Sequence, residues 1–221
     1  MNIVTLEKIK DDPEVESLIQ AADRNLEAIG YTEHGNRHIS VVADRASNLL
    51  MSLGKKERDV ELVSIAAHLH DIGNVINRRQ HAPFGAILAK PVLLRFGMPI
   101  DEIHVIIAAI GNHHEGQGEA VSDISAALIL ADKSDVHTTR VRESGDVIGD
   151  IHDRVNFAAV KSDLYTKDDG KTIGIEILID PKVSSVMEYF EIFLKRMDSC
   201  KMAASYLGAK FELVINGVKL A

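Results

Sequence analysis

Three times in this chain, a run of apolar residues patterned for a helix stops on histidine or aspartate. AAHLHDIGN carries His70 and Asp71, IIAAIGNHHEG carries His113 and His114, and AALILADKSD carries Asp132. A carboxylate brought into buried structure costs several kcal/mol unless something compensates it. A metal cation is an economical compensation for Asp71. The ordinary alternatives are that Asp71 caps the next segment, that His113-His114 is a solvated pair, and that Lys133 neutralises Asp132. His38 at the start of another helix and His81 just before Ala82-Pro83 carry the same ambiguity between helix-start residue and ligand.

Up to about residue 140, apolar residues recur at three- and four-residue spacings with Gly, Pro or Asn at the breaks. That period predicts helices over residues 13–29, 39–53, 57–70, 83–96, 100–112 and 121–136, with Gly54 and Gly97 closing two of them. After Arg142 the texture changes. ESGDVIGD is rich in turn residues, and alternation then predicts a strand over 155–166, a turn at Lys167-Asp168-Asp169-Gly170, and a returning strand through Ile173, Ile175, Ile177 and Ile179. A long helix over 183–207 ends at Gly208, and 211–215 with an Asn216-Gly217 hairpin closes the chain. The expected fold is mainly α: an all-α helical bundle over residues 1–142, then a small α+β C-terminal domain over 143–221 in the order β-β-α-β, serving dimerisation or the substrate cleft.

The net charge of -8 argues against a general nucleic-acid-binding surface, which needs clustered Lys and Arg. The acidity lies in residues 1–150, with 23 acidic and 15 basic side chains against 10 and 10 in the rest. No run approaches the roughly 20 apolar residues of a membrane helix. Acidic residues stand where the apolar core of a signal peptide would lie, so a cytoplasmic protein is expected. Cys200 falls on the apolar face of the last helix, where a small buried thiol is the expected role.

In this order and these contexts, His38, His70-Asp71, His81, His113-His114 and Asp132 resemble the HD superfamily of metal-dependent phosphohydrolases. The resemblance covers roughly residues 30–140, and its most specific part is AAHLHDIGN followed downstream by ILADKSD. RQHAPFGAIL, IGNHHEG and ADKSDVHTTR are similar to the HD-GYP phosphodiesterases. RQHAPFGAILA is also similar to the HD hydrolases that split dinucleoside tetraphosphates. The chain departs from HD-GYP enzymes at Asn74, where they usually carry Lys, and it lacks the Gly-Tyr-Pro signature.

The resemblance implies an HD-domain bundle holding two divalent metals. His38, His70, Asp71 and Asp132 would hold the first, and Asp71 would bridge to a second held by His81, His113 and His114; in a variant with one metal, His38, His70, Asp71 and Asp132 would suffice. It implies hydrolysis of a phosphate ester or phosphoanhydride, as a phosphomonoesterase or phosphodiesterase, on a nucleotide or related small phosphorylated molecule. Mixed imidazole and carboxylate ligands suit Mn, Fe, Co, Ni or Zn. Two such ions can activate water for attack on phosphorus, which assigns catalytic roles to Asp71 and Lys133. His34, Asn74, Arg78 and Arg140, with Arg79 nearby, are the expected substrate contacts. A second His-Asp pair, His152-Asp153, is read as a decoy at the start of the strand region, although Asp150, His152 and Arg154 can reach the cleft. Competing readings are a di-iron HD-type oxygenase and a nucleotide-binding sensor. The long helix also offers a homodimer interface.

Overall fold

A computed structural model describes residues 3–221; the first two residues of the acidic N-terminal segment lie outside it. The first two-thirds is helical: α1 (Leu6–Lys10), α2 (Pro13–Ala28), α3 (Asn36–Ser52), α4 (Glu57–Leu69), α5 (His81–Arg95), α6 (Ile100–Gly111) and α7 (Asp123–Ser134). Then follow α8 (Ile151–Ala158), β1 (Ala159–Lys167), β2 (Thr172–Ile179), α9 (Val186–Tyr206), β3 (Lys210–Ile215) and β4 (Val218–Lys219).

The helices start and stop where local chemistry requires. Asp12 caps α2, its side chain accepting from the Glu14 and Val15 amides with Pro13 at the first turn. Gly54 and Gly97 follow α3 and α5 with φ of 66° and 74°, the left-handed backbone that ends a helix. Two starts come earlier than the sequence suggests. Gly35 precedes α3, which places His38 inside the first helical turn, and α5 begins at His81 itself. Pro83 then sits near the N-terminus of α5, where its missing amide hydrogen costs nothing.

The expected strand over 155–166 is corrected at its first part. Residues 151–158 form α8, because the Asp150 carboxylate accepts from the His152 amide at 2.6 Å and caps a helix there. Val155, Ala158 and Ala159 are all buried, a spacing that a helix with a following strand satisfies as well as a strand alone. His152-Asp153 therefore lies on a helix. The rest of the C-terminal pattern forms as expected. β1 pairs antiparallel with β2, α9 crosses over to β3 parallel to β2, and Asn216-Gly217, both at positive φ, turn β3 into β4. Sheet order is β1-β2-β3-β4. The capping box of Ser185 and Glu188 starts α9, and Gly208 ends it.

One apolar core runs through both halves. Ala126, Ala127, Leu128, Ile129 and Leu130 of α7 join Ile173, Ile175 and Ile177 of β2 and Phe193, Met197, Cys200 and Ala204 of α9 in a single cluster. Every residue of α7 from Ile124 to Ser134 is buried, so this helix is the axis around which α3, α4, α6, α9 and β1 pack. Cys200 is fully buried, as its helical position suggested, and burial pushes its thiol up out of the reactive range.

His68 on α4 is buried, and that burial, with a smaller push from Lys10, lowers its pKa to about 4. A histidine depressed in the folded state favours folding while it stays neutral. Its contribution is present above 6.5 and is lost as pH falls toward 4, because the unfolded chain takes up the proton first. Melting of metal-free protein between pH 7 and pH 4.5 should show that loss. His68→Leu should recover part of it, up to about 3 kcal/mol.

Candidate metal centre

The end of α4 delivers His70 at its C-cap and then Asp71, after which residues Ile72–Val75 form a single 3-10 turn. Gly73 allows that turn to lie flat on the start of α5. A Cβ there would stand 2.0 Å from the His81 carbonyl oxygen and 2.4 Å from the Gly85 amide nitrogen. This backbone contact brings His81 beside Asp71. His113 follows α6, Asp132 sits on the last turn of α7, and His38 comes from the first turn of α3.

Four imidazoles are held in the same way. Nδ1 of His70 donates to the Ala67 carbonyl at 2.7 Å, Nδ1 of His81 to that of Arg78 at 2.8 Å, and Nδ1 of His113 to that of Ile110 at 2.6 Å. Nδ1 of His38 donates to Asp135 Oδ2 at 2.7 Å. A neutral ring that donates from Nδ1 carries a lone pair on Nε2. Those lone pairs converge. Nε2 of His81 and Nε2 of His113 are 3.1 Å apart, and Nε2 of His38 and of His70 are buried without a hydrogen-bond partner among the described residues.

Asp71 lies between the two pairs. Its Oδ2 is 3.3 Å from His70 Nε2 and 3.8 Å from His38 Nε2, while its Oδ1 is 3.5 Å from His81 Nε2 and 4.0 Å from His113 Nε2. Asp132 Oδ1 stands 3.3 Å from His38 Nε2. The centre is thus built of acceptors, two lone pairs facing each other without a hydrogen between them. A cation is what such a donor set fits. Three groupings have ligand atoms mutually within 4.8 Å: His38-His70-Asp71, His70-His113-Asp132 and Asp71-His81-His113.

The electrostatics agree. Burial raises the Asp71 carboxyl, but the His70 imidazole beside it, 3.3 Å away, outweighs that effect and holds Asp71 well below the usual carboxylate range. Asp132 is likewise held down by Lys133 and His38 against the opposing effect of burial. Burial keeps His113 neutral and lowers His81 to about 4, so both offer lone pairs at neutral pH. His70 runs the other way. Burial lowers it, yet Asp71 raises it further, so acid competes for this position.

The remaining expected residues fall around this cluster. His114 is not brought among the ligand atoms. Its Nδ1 is 3.6 Å from Glu115 Oε2, and its ring packs 4.8 Å from that of His81. Lys133 is buried, with Nζ 2.6 Å from both Asp132 Oδ2 and Glu115 Oε2. Asn74 is buried, its Nδ2 donating to Asp71 Oδ1 at 2.9 Å, and it is not among the residues lining the cavity beside the cluster. His34, Arg78 and Arg140 do line a cavity of about 430 Å³ that opens beside the cluster, together with Arg79, Asp150 and His152.

Sequence reasoning passed over three participants. Asp135, fully buried, takes the His38 hydrogen bond and a two-pronged contact from Arg37 at 2.7 and 2.9 Å. Its place three residues after Asp132 in ADKSD was the available signal. Glu115 follows the His pair directly. Arg196 comes from α9, far along the chain, and only the tertiary fold brings it to the cavity.

The HD domain family model matches residues 37–140, the stretch that carries all of these candidate ligands. Over those residues the chain is similar to the HD domain family. An uncharacterized protein of Methanocaldococcus jannaschii is 27% identical over 178 residues, covering 68% of this chain and 66% of that protein, just under two thirds of its length. A predicted HD superfamily hydrolase from an uncultured Thermotogales bacterium is 23% identical, with a TM-score of 0.45 over 62% of this chain and 75% of that one. A Lactobacillus plantarum protein is 17% identical, with a TM-score of 0.45 over 89% and 91%. Among the described residues, no helix is long and apolar enough to cross a membrane. The HD match ends before α8, so one wall of the cavity is supplied from outside it.

Proposed function

We propose that the chain is a metal-dependent phosphohydrolase acting on a small phosphorylated molecule, a nucleotide or a related compound. The observation that carries this reading is the set of buried Nε2 lone pairs and carboxylate oxygens that face one another without donors between them. Of the expected ligands, His38, His70, Asp71 and Asp132 suit one ion, while Asp71, His81 and His113 suit a second. Asp71 presents a different oxygen to each pair of imidazoles, which supports a bridging role. When bound, two divalent transition-metal ions supply Lewis acidity, lowering the pKa of water and offsetting charge on phosphorus-bound oxygens.

The chain's own residues do the rest. The carbonyls of Ala67, Arg78 and Ile110 and the Asp135 carboxylate fix the tautomer and direction of each ring. Asn74 Nδ2 donates to Oδ1 of Asp71 and steadies the carboxylate. Lys133, kept charged by Asp132 and Glu115 despite its burial, places a positive group where a phosphoryl oxygen approaches. His34 donates from Nδ1 to the Thr32 carbonyl at 2.6 Å, which leaves its Nε2 as an acceptor at the cavity wall.

The test is elemental analysis of purified protein together with hydrolysis of aryl phosphates and aryl phosphodiesters in the presence of Mn, under air and under anaerobic conditions. Near two transition metals per chain and turnover without dioxygen are expected. Metal-free protein that Mn does not activate would sink the reading, and turnover only with iron and oxygen would replace it with an oxygenase. Which of the two aryl esters is cleaved separates a phosphomonoesterase from a phosphodiesterase.

A further inference from the structure

The cavity beside the metal centre is positively charged in a chain whose net charge is -8. Arg78, Arg79, Arg140 and Arg196 line it, against the carboxylates Glu115 and Asp150. Asp71, His81, His113 and Asp132 do not line it; they line a narrow neck that joins it. Arg78 and Arg196, with His34, His114, Glu115 and Arg140, border both the neck and the wide chamber, so they line the space next to the metal cluster.

These two arginines are built alike. The Arg78 guanidinium lies over the Tyr31 ring at 4.9 Å, and that of Arg196 over the Phe193 ring at 4.3 Å. Stacking on a ring fixes the plane of the fork while leaving its N–H edges free. Arg196 makes one contact with an acid, Nε to Glu115 Oε1 at 3.4 Å, and Glu115 is already engaged by Lys133. Arg78 makes only a long 3.5 Å approach to His81 Nδ1. Arg140, by contrast, is spent on the carbonyls of Glu33 and Asp135. Two stacked guanidiniums with unused donors, buried in part and facing one space, match planar oxyanion recognition.

We infer that Arg78 and Arg196 form an anion clamp for a second acidic group of the substrate, one that is not the phosphate held at the metal centre. The substrate class is then a phosphorylated compound carrying a further phosphate, as in a phosphoanhydride. Arg196 and both aromatic supports lie outside the matched HD domain, so this selectivity belongs to the flanking segments. The inference rests on the phosphohydrolase reading for the position of the first phosphate, but the clamp can be measured without turnover.

The measurement is calorimetric titration of the full chain, stripped of metal by chelator and dialysed, with inorganic phosphate, pyrophosphate and tripolyphosphate. The wild type should bind the linked phosphates at least about tenfold more tightly than phosphate. Arg196→Ala and Arg78→Ala should each erase most of that ratio, and Arg196→Lys, which keeps charge but loses the fork, should restore part of it. Circular dichroism checks that each variant is folded, and the Lys variant keeps the test decisive if an Ala variant is not. Equal binding of phosphate and pyrophosphate by the wild type, or an unchanged ratio in Arg196→Lys and both Ala variants, overturns the clamp. Absence of any hydrolysis beside an intact Arg-dependent ratio would remove the phosphohydrolase reading and leave the clamp standing. Aryl phosphate turnover beside a lost ratio would do the reverse.

Discussion

Asp71→Ala is expected to lose metal and to lower kcat/KM on aryl phosphates by on the order of a thousandfold or more. The carboxylate presents one oxygen to His70 and His38 and the other to His81 and His113, so its removal unlinks both halves of the centre at once. Stability separates this from simple damage to the fold. Asp71 is buried, accepts from Asn74 Nδ2 and lies 3.3 Å from His70 Nε2, so the metal-free variant should melt somewhat below metal-free wild type but remain folded. Added Mn should raise the melting temperature of the wild type, because a ligand that binds only the folded chain stabilises it, and should leave the variant unmoved. Elemental analysis alongside melting curves with and without Mn would decide it. A variant that still shows the full Mn-dependent shift would mean that Asp71 is not a ligand.

Gly73→Ala should be the most damaging single-methyl change in the protein. The new Cβ would meet the His81 carbonyl oxygen at 2.0 Å and the Gly85 amide nitrogen at 2.4 Å, and neither is a side chain that can swing away. The 3-10 turn and the start of α5 must separate, which moves His81 from Asp71 and opens the core beneath them. A cost of about 3 kcal/mol or more follows, with loss of metal retention. Two other glycines provide a graded comparison. At Gly85 the nearest atom to a new Cβ is the His70 carbonyl oxygen at 3.0 Å, a milder conflict, and at Gly97 there is open space but φ is 74°, so only the roughly 1 kcal/mol backbone penalty applies. Chemical denaturation of the three Ala variants should rank them in that order, Gly73 worst, and a Gly73→Ala protein as stable as Gly97→Ala would contradict the contact.

Much of this was legible in the chain because the relevant signals are local. The end of α4, the His pair after α6 and the carboxylate on α7 each follow an apolar run, and their residue types alone raise the question of what compensates them. The β1–β2 hairpin and the crossover to β3 follow from alternation and turn residues. The failures have equally local causes. At Val155 and Ala158 the helical and extended periods coincide, and only the Asp150 cap decides between them. Asp135 and Arg196 act through partners 97 residues away at His38 and across the fold at Glu115, distances over which a sequence pattern carries no information.

The burial of α7 on every side bears on how proteins of this kind diverge. A helix with no free face can accept almost no substitution, since each new side chain must displace a neighbour from α3, α4, α6, α9 or β1. Substitutions are therefore expected to be better tolerated on α8 and α9, which have exposed outer faces and also wall the cavity, than on the axis that positions Asp132 and Lys133. Among descendants of one ancestor, the buried cluster of histidines and carboxylates would be inherited almost intact while the cavity wall beside it changes from lineage to lineage.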